Sequence, residues 1–339
     1  MPKVSRREFV KIGAAAAGVA VLAGAGYIAY QSVKPKEEPI TPSKAYTAEL
    51  RQISLKTGGV LDVAVAGPKD GTPLVFHHGS PGARMLFEPF IEAAVTRGLR
   101  YVSYSRPGFG DSTRQPGRTV ADCSRDTANI LDELGADRFY VTGWSAGGPH
   151  SLACAALLPQ RVIAASTIAG VAPYGAKNLD WEAGQDKETI EKIHAAINDP
   201  DKLQSLLERE EPTYAHVTGD QIIAALGDLP DVDKAVLSGP LGDFLADNIR
   251  EAFRNGIWGI YDENIALSHD WGFDLSRIKA PVAVWQGAKD KMVPFAHGQW
   301  LANNVPNAQA HLLLDQGHLS LVFGYFDKVL DNLIANGKR

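Results

Sequence analysis

Two cysteines and three methionines in 339 residues leave little material for sulfur chemistry. Two thiols exclude a disulfide framework and a Cys-rich zinc site. Cys123 and Cys154 read as two separate buried thiols, with a single bond between them as the alternative. An excess of positive charge is missing as well. The formal net charge is −5, from 34 Lys and Arg against 39 Asp and Glu. Residues 1–36 hold six basic residues and one acidic one, so the remainder stands at −10. That balance argues against nucleic acid as a partner. The sequence shows no metal-ligand cluster, no phosphate-cradling glycine loop and no internal repeat, so neither metal nor cofactor is expected. What remains is ordinary globular composition, 45% hydrophobic and 22% charged, on a chain long enough for one large α/β domain with an insertion.

The first thirty residues stand apart. Ser5-Arg6-Arg7-Glu8-Phe9-Val10-Lys11 resembles the twin-arginine export signal, S-R-R-x-F-x-K, at every fixed position. Ile12 to Tyr30 follows as a small-residue, uncharged stretch of the kind an export signal carries. Ala23-Gly24-Ala25 fits an A-x-A cleavage site, yet 19 uncharged residues nearly span a bilayer. A cleaved leader and an uncleaved anchor through residues 12–30 both stay open. The resemblance implies the twin-arginine export machinery as a partner and an exported location: periplasm, cell surface or medium. Residues 31–45, rich in proline and charge, read as a linker.

From residue 46 onward, strands alternate with helices. Residues 46–56 and 60–66 read as two antiparallel strands around Thr57-Gly58-Gly59. Further strands are expected at 73–76, 100–104, 138–141, 162–168, 282–286 and 310–314, with helices at 84–97, 119–134, 146–158, 294–304 and 319–334. This rhythm builds a doubly wound, mostly parallel sheet. It breaks between residues 173 and 279, where helical patterns and Pro/Gly punctuation replace strands. Loops of that length are rarely structureless, so a helical cap inserted above the sheet is expected. The core then comprises 46–172 and 280–339.

The stretch that organises the chain is Gly143-Trp144-Ser145-Ala146-Gly147, a G-x-S-x-G between a strand and a helix. A serine on such a turn is held out above the sheet edge, and the small residues on either side avoid collisions. A serine at its free pKa is a poor nucleophile and needs a base, and the base needs an orienting group. Asp290 and His318 each follow a parallel strand, in the chain order Ser, Asp, His, at the edge where such sheets bind ligands. Read singly, Asp290 is also compatible with a turn or helix-cap residue and His318 with a surface loop histidine. Asp315 competes with Asp290 but lies on the histidine's own loop. Two N–H donors for an oxyanion are expected, one from Ala146 and one from Ser80, because Pro81 has no N–H. His78 reads as a structural hydrogen-bonding residue, and His297 and His311 fall on helix or strand patterns.

The motifs HGSPG, SRPGFGDS, GWSAGG, GAKDKMVP and GHLS, in this order and at these intervals, resemble the α/β-hydrolase superfamily from about residue 46 to the end. The resemblance implies a Ser145–Asp290–His318 triad with His318 as base, and Ser80 and Ala146 as oxyanion donors. Epoxide hydrolases and haloalkane dehalogenases resemble the chain in cap and motifs but use an aspartate nucleophile, so Ser145 disfavours those chemistries. The Arg106-Pro107-Gly108-Phe109-Gly110 loop reads as scaffold. The implied activity is hydrolysis of a small or medium apolar carboxylic ester, or a lactone. Aminopeptidase, thioesterase and C–C bond hydrolase chemistries, or low-turnover ligand binding, are the alternatives on the same groups. Trp144 is expected beside the substrate. Trp181, Tyr214, Phe244, Trp258, Tyr261 and Trp271 fit either an apolar acyl site or plain packing, and Asp180 and Glu182 are examples of acidic cap residues suited to a substrate amine.

Overall fold

A computed structural model describes residues 48–56, 58–226 and 229–338. The expected export signal, anchor and linker all lie outside the described residues. Among those described, no helix is long and apolar enough to cross a membrane.

Eight strands form one sheet: β1 (Glu49–Ser54), β2 (Val60–Ala66), β3 (Thr72–His77), β4 (Leu99–Tyr104), β5 (Phe139–Trp144), β6 (Val162–Ile168), β7 (Val282–Gly287) and β8 (Gln309–Leu313). Their order is β1-β2-β4-β3-β5-β6-β7-β8. The β1/β2 and β2/β4 pairs are antiparallel, and every other pair is parallel. The parallel strands β3 to β7 are buried on both faces, as crossover helices demand, and only the edge strand β8 is partly exposed. Alternation assigns the faces. Leu74, Phe76, Tyr101 and Tyr140 point towards α1 (Glu88–Val95) and α11 (His318–Asn336). Val75, Val102, Val141 and Val284 point towards α2 (Cys123–Glu133), α3 (Gly147–Leu157) and α10 (Phe295–Asn304).

The helix expected from residue 84 begins only at Glu88. The N–H groups of Ala83, Arg84 and Met85 donate instead to the side chains of Asn248, Ser105 and Ser103. A tertiary hydrogen-bond supply thus outweighs local helical spacing, and Pro89 sits where a first turn tolerates it.

Between β6 and β7 the described residues form six α-helices, α4 (Lys187–Asn198), α5 (Pro200–Tyr214), α6 (Gly219–Ala225), α7 (Asp231–Val236), α8 (Gly239–Ala252) and α9 (Trp258–Ser268), and a 3₁₀ turn at Leu275–Arg277. Local caps start several of them. Asp186 accepts from the N–H groups of Glu188 and Thr189, and Thr218 and Gln221 form a reciprocal capping box. Leu203, Leu207, Tyr214, Phe253 and Ile257 make a core of their own that takes in Ala83 and Phe109 from the sheet side. Ile222, Leu241 and Leu245 join the core around α1 and α11.

Candidate active site

At the end of β5 the chain turns through Ser145 into α3. Ser145 has φ 55°, a left-handed conformation that residues with a Cβ seldom adopt. Such a turn costs on the order of 1–3 kcal/mol. It persists because both sides are tied: the Ser145 N–H donates to the Ile168 carbonyl at 2.9 Å, and its carbonyl accepts from Gly148 at 2.9 Å. A Cβ on Gly143 would meet the Gly147 carbonyl, and one on Gly147 would meet the His77 carbonyl at the end of β3. Two glycines are therefore needed for close approach, not for special dihedral angles.

His318, expected on a strand-to-helix loop, is the first residue of α11. Its Nδ1–H donates to Asp290 Oδ2 at 2.8 Å, both side chains being buried. A carboxylate only accepts, so the proton sits on Nδ1 and Nε2 is left as an acceptor. Nε2 has no hydrogen-bond partner among the described residues. Asp290 is fixed by its own turn: Oδ1 accepts from the N–H groups of Met292 and Val293, each at 2.8 Å. Gln286 Nε2 donates to Asp290 Oδ2 at 3.0 Å and to the Val293 carbonyl at 2.9 Å. The competitor Asp315 is exposed.

The loop after β3 passes beside the serine. A Cβ on Gly79 would lie 3.4 Å from Ser145 Cβ and 3.2 Å from the Trp144 ring. The N–H groups of Ser80 and Ala146 find no acceptor among the described residues. Trp144 packs its indole 5.3 Å from the His318 ring and 5.5 Å from Phe323. Ser80, Trp144, Ser145, Ala146 and His318 all line one cavity of about 280 Å³, with Asp290 behind the histidine.

His78 is spoken for. Its Nδ1–H donates to the Gly79 carbonyl at 2.6 Å and its Nε2 accepts from the Arg106 N–H at 3.3 Å. Burial and the nearby Arg106 guanidinium hold its pKa well below the usual histidine value, so it stays neutral. His297 braces Ala172 and Trp181, and His311 stacks on Trp285 at 3.9 Å. Cys123 and Cys154 are free, buried thiols that meet His77 beneath the elbow.

The cap closes the cavity with Ile193, Leu207, Ile222, Leu226, Leu245 and Ile249. Of the six aromatic residues singled out, Trp181 and Tyr214 reach it. Phe244 packs on Phe87, Trp258 and Tyr261 sit by Arg114, and Trp271 stacks on Phe273. Asp180 is exposed, and Glu182 is tied to Tyr174 and His194. The acidic residues in the wall are instead Asp186, Glu210 and Glu263. Lys192, also in the wall, pairs with Glu210 at 2.7 Å and with Glu188 at 3.4 Å. Burial, with a hydrogen bond to Glu210, pushes the Glu188 carboxyl up to about 7.

Sequence reasoning missed the groups that join cap to sheet. Glu263 of α9 is fully buried and takes Arg106 at 2.8 Å and Arg118 at 2.6 Å. Burial raises its pKa, but the two guanidinium groups outweigh that and hold the carboxyl well below the usual range. Asp233 of α7 reaches the start of α11, and Gln286 steadies Asp290. Gln286 had a signal, a polar residue closing an apolar strand. Glu263 and Asp233 had none.

The profile of the α/β-hydrolase fold matches residues 72–325. The chain belongs to the α/β-hydrolase family. This family member is 28% identical over 252 residues to a 2-hydroxy-6-oxononadienedioate/2-hydroxy-6-oxononatrienedioate hydrolase of Burkholderia vietnamiensis, covering 72% of this chain and 80% of that one. It is 27% identical over 242 residues to a bifunctional esterase/perhydrolase of Acinetobacter calcoaceticus, covering 68% and 78%. A solved hydrolase from Pseudomonas aeruginosa shares the fold with a TM-score of 0.62 at 22% identity, covering 84% and 98%. Hydrolysis is the activity common to these relatives.

Proposed function

We propose that this α/β-hydrolase is a serine hydrolase that cleaves small or medium apolar carboxylic esters, lactones included, through an acyl-enzyme. The observation that carries the reading is the buried Nδ1–H bond from His318 to Asp290, which leaves Nε2 unpaired in the cavity that Ser145 lines. In the forward step Nε2 takes the Ser145 Oγ proton as Oγ attacks the ester carbonyl carbon. The N–H groups of Ala146 and Ser80 receive the oxyanion, a contribution worth roughly 2.7–4 kcal/mol per donor in such sites. Collapse breaks the ester C–O bond, and Nε2–H gives its proton to the leaving alkoxide. Water then attacks the acyl carbon with Nε2 as base, releasing the acid and restoring Ser145. A largely apolar cap wall suits an alkyl or acyl chain.

The test is hydrolysis of 4-nitrophenyl acetate and butyrate by the full chain beside Ser145→Ala. The substitution is expected to lower kcat by about 10⁴-fold or more in a protein that stays folded. A folded wild type inert on both esters overturns the ester reading. The relative from Burkholderia favours C–C bond hydrolysis as the second reading, and a vinylogous 1,5-diketone substrate distinguishes it. The same proposal takes the enzyme out of the cytoplasm through Ser5 to Lys11. Replacing Arg6 and Arg7 by Lys is expected to retain it inside, and unchanged export on fractionation removes that part.

A further inference from the structure

α11 carries His318 at its first position and has no N-cap side chain, because Gly317 precedes it; its own Ser320 Oγ takes only the Gly317 N–H, at 2.8 Å. A helix start leaves N–H groups that need acceptors, the more so when buried. Here the acceptors come from the cap. Asp233 of α7, fully buried, takes the His318 N–H on Oδ2 at 2.9 Å and the Ser320 N–H on Oδ1 at 2.8 Å. Both carboxylate oxygens are thus committed, and the charge sits at the positive end of a 19-residue helix. Gly317 has φ −109°, which any residue adopts. It is glycine for another reason: a Cβ there would meet the Asp233 carboxylate oxygens and Cγ.

We propose that Asp233 is a positioning residue for His318, holding the base from the cap, and that a cap displaced from the sheet releases it. The inference rests on reading His318 as the base. The carboxylate acts on the backbone of the residue whose ring must present Nε2 to Ser145. A shift of the first turn of α11 therefore moves the imidazole directly, and small misplacements of a reacting group are costly.

The geometry carries an internal check. Gly317→Ser alone pushes a side chain into Asp233 and is expected to impair the enzyme. In an Asp233→Ala background the three atoms nearest such a Cβ are gone, and a serine at that position is expected to cap α11 locally. Two changes harmful singly should then be mild together.

The experiment compares the full-length wild type, Asp233→Ala, Gly317→Ser and the double variant. It measures steady-state hydrolysis of 4-nitrophenyl butyrate, the rate of Ser145 labelling by a fluorophosphonate, and amide exchange over residues 317–322. Asp233→Ala is expected to lower kcat and the labelling rate by about 10- to 100-fold, with KM within about twofold. The double variant is expected to recover to within about threefold of the wild type. Wild-type kcat and labelling in folded Asp233→Ala overturn the inference, as does a double variant no better than either single. Should Asp233→Ala not fold, recovery of folding and rate in the double variant supports it, and failure of the double overturns it. A wild type that neither hydrolyses the ester nor labels sinks the proposed function instead. The capping then stands or falls on exchange, where unchanged protection of His318 and Ser320 overturns it.

Discussion

The sheet edge and the cap face the same cavity and are held by opposite means. On the sheet side Ser145 and Asp290 are fixed mainly by the turns that carry them. Ser145 is fixed by a strained turn tied to Ile168 and Gly148, and Asp290 by the N–H groups two and three residues later. On the cap side the polar groups reach across the molecule. Glu263 binds Arg106 and Arg118, Asp262 binds Arg114, Glu251 binds Arg84, and Asp233 binds the start of α11. Ser145 and Asp290 sit on tied local turns, while the cover is fastened by largely buried charge pairs to the loops after β3 and β4. Damage to the first should stop the reaction in a stable protein. Damage to the second should loosen the protein and spoil the site indirectly.

The largest separation is expected from Asp290→Asn. The Asn carbonyl can still accept from Met292 and Val293, but its NH₂ then faces both Gln286 Nε2 and His318 Nδ1, donor against donor. The imidazole is left in the wrong tautomer, and kcat is expected to fall by about 10³- to 10⁴-fold. The urea midpoint should move little by comparison. A kcat within tenfold of wild type would show that Asp290 does not orient the base.

Glu263→Gln tests the other side. It leaves two buried guanidinium groups without their counter-charge, and losing one partner of such a cluster costs about 3–5 kcal/mol. Urea unfolding reads this directly. A loss under about 1 kcal/mol would mean that the cap is held by its apolar core and not by charge.

The smallest effect expected here is a pH dependence that arises within the cap. The Glu188 carboxyl is raised from 4.5 to about 7 in the folded state, first by burial and then by Glu210. A raised carboxyl contributes stability that is fully present below about pH 4.5 and lost as pH rises through about 7. With its side chain 24% exposed, the loss is expected to be about 1–2 kcal/mol between pH 5 and pH 8. Glu188→Gln should flatten that slope without changing the sheet-side chemistry. Equal slopes in the two proteins would remove Glu188 as its source.

Where the sequence was legible, its signals were local. Hydrophobic alternation located the two antiparallel strands and short apolar or β-branched runs the parallel ones, and the doubly wound sheet follows from their alternation with helices. The triad candidates Ser145, Asp290 and His318 stood out because turn residues follow strands in a fixed order, and strand ends in a parallel sheet share one edge. The errors have the same origin in reverse. The helix expected from residue 84 starts at Glu88 because side chains from β4, its following loop and α8 claim the intervening N–H groups. Among the many acidic cap residues the sequence could not choose, and the fold brings Asp186, Glu210 and Glu263 to the cavity rather than Asp180 or Glu182.

The sequence by itself determined the strand pattern, the crowded serine turn and the candidate residues Ser145, Asp290 and His318, because each is marked by neighbours a few positions away. Only the tertiary structure decided which charges are buried, which aromatics reach the cavity and who caps α11. Asp233 lies 85 residues from His318, and Glu263 lies 157 from Arg106. A charged residue in an unremarkable helical stretch carries no mark of the distant partner that makes its burial tolerable.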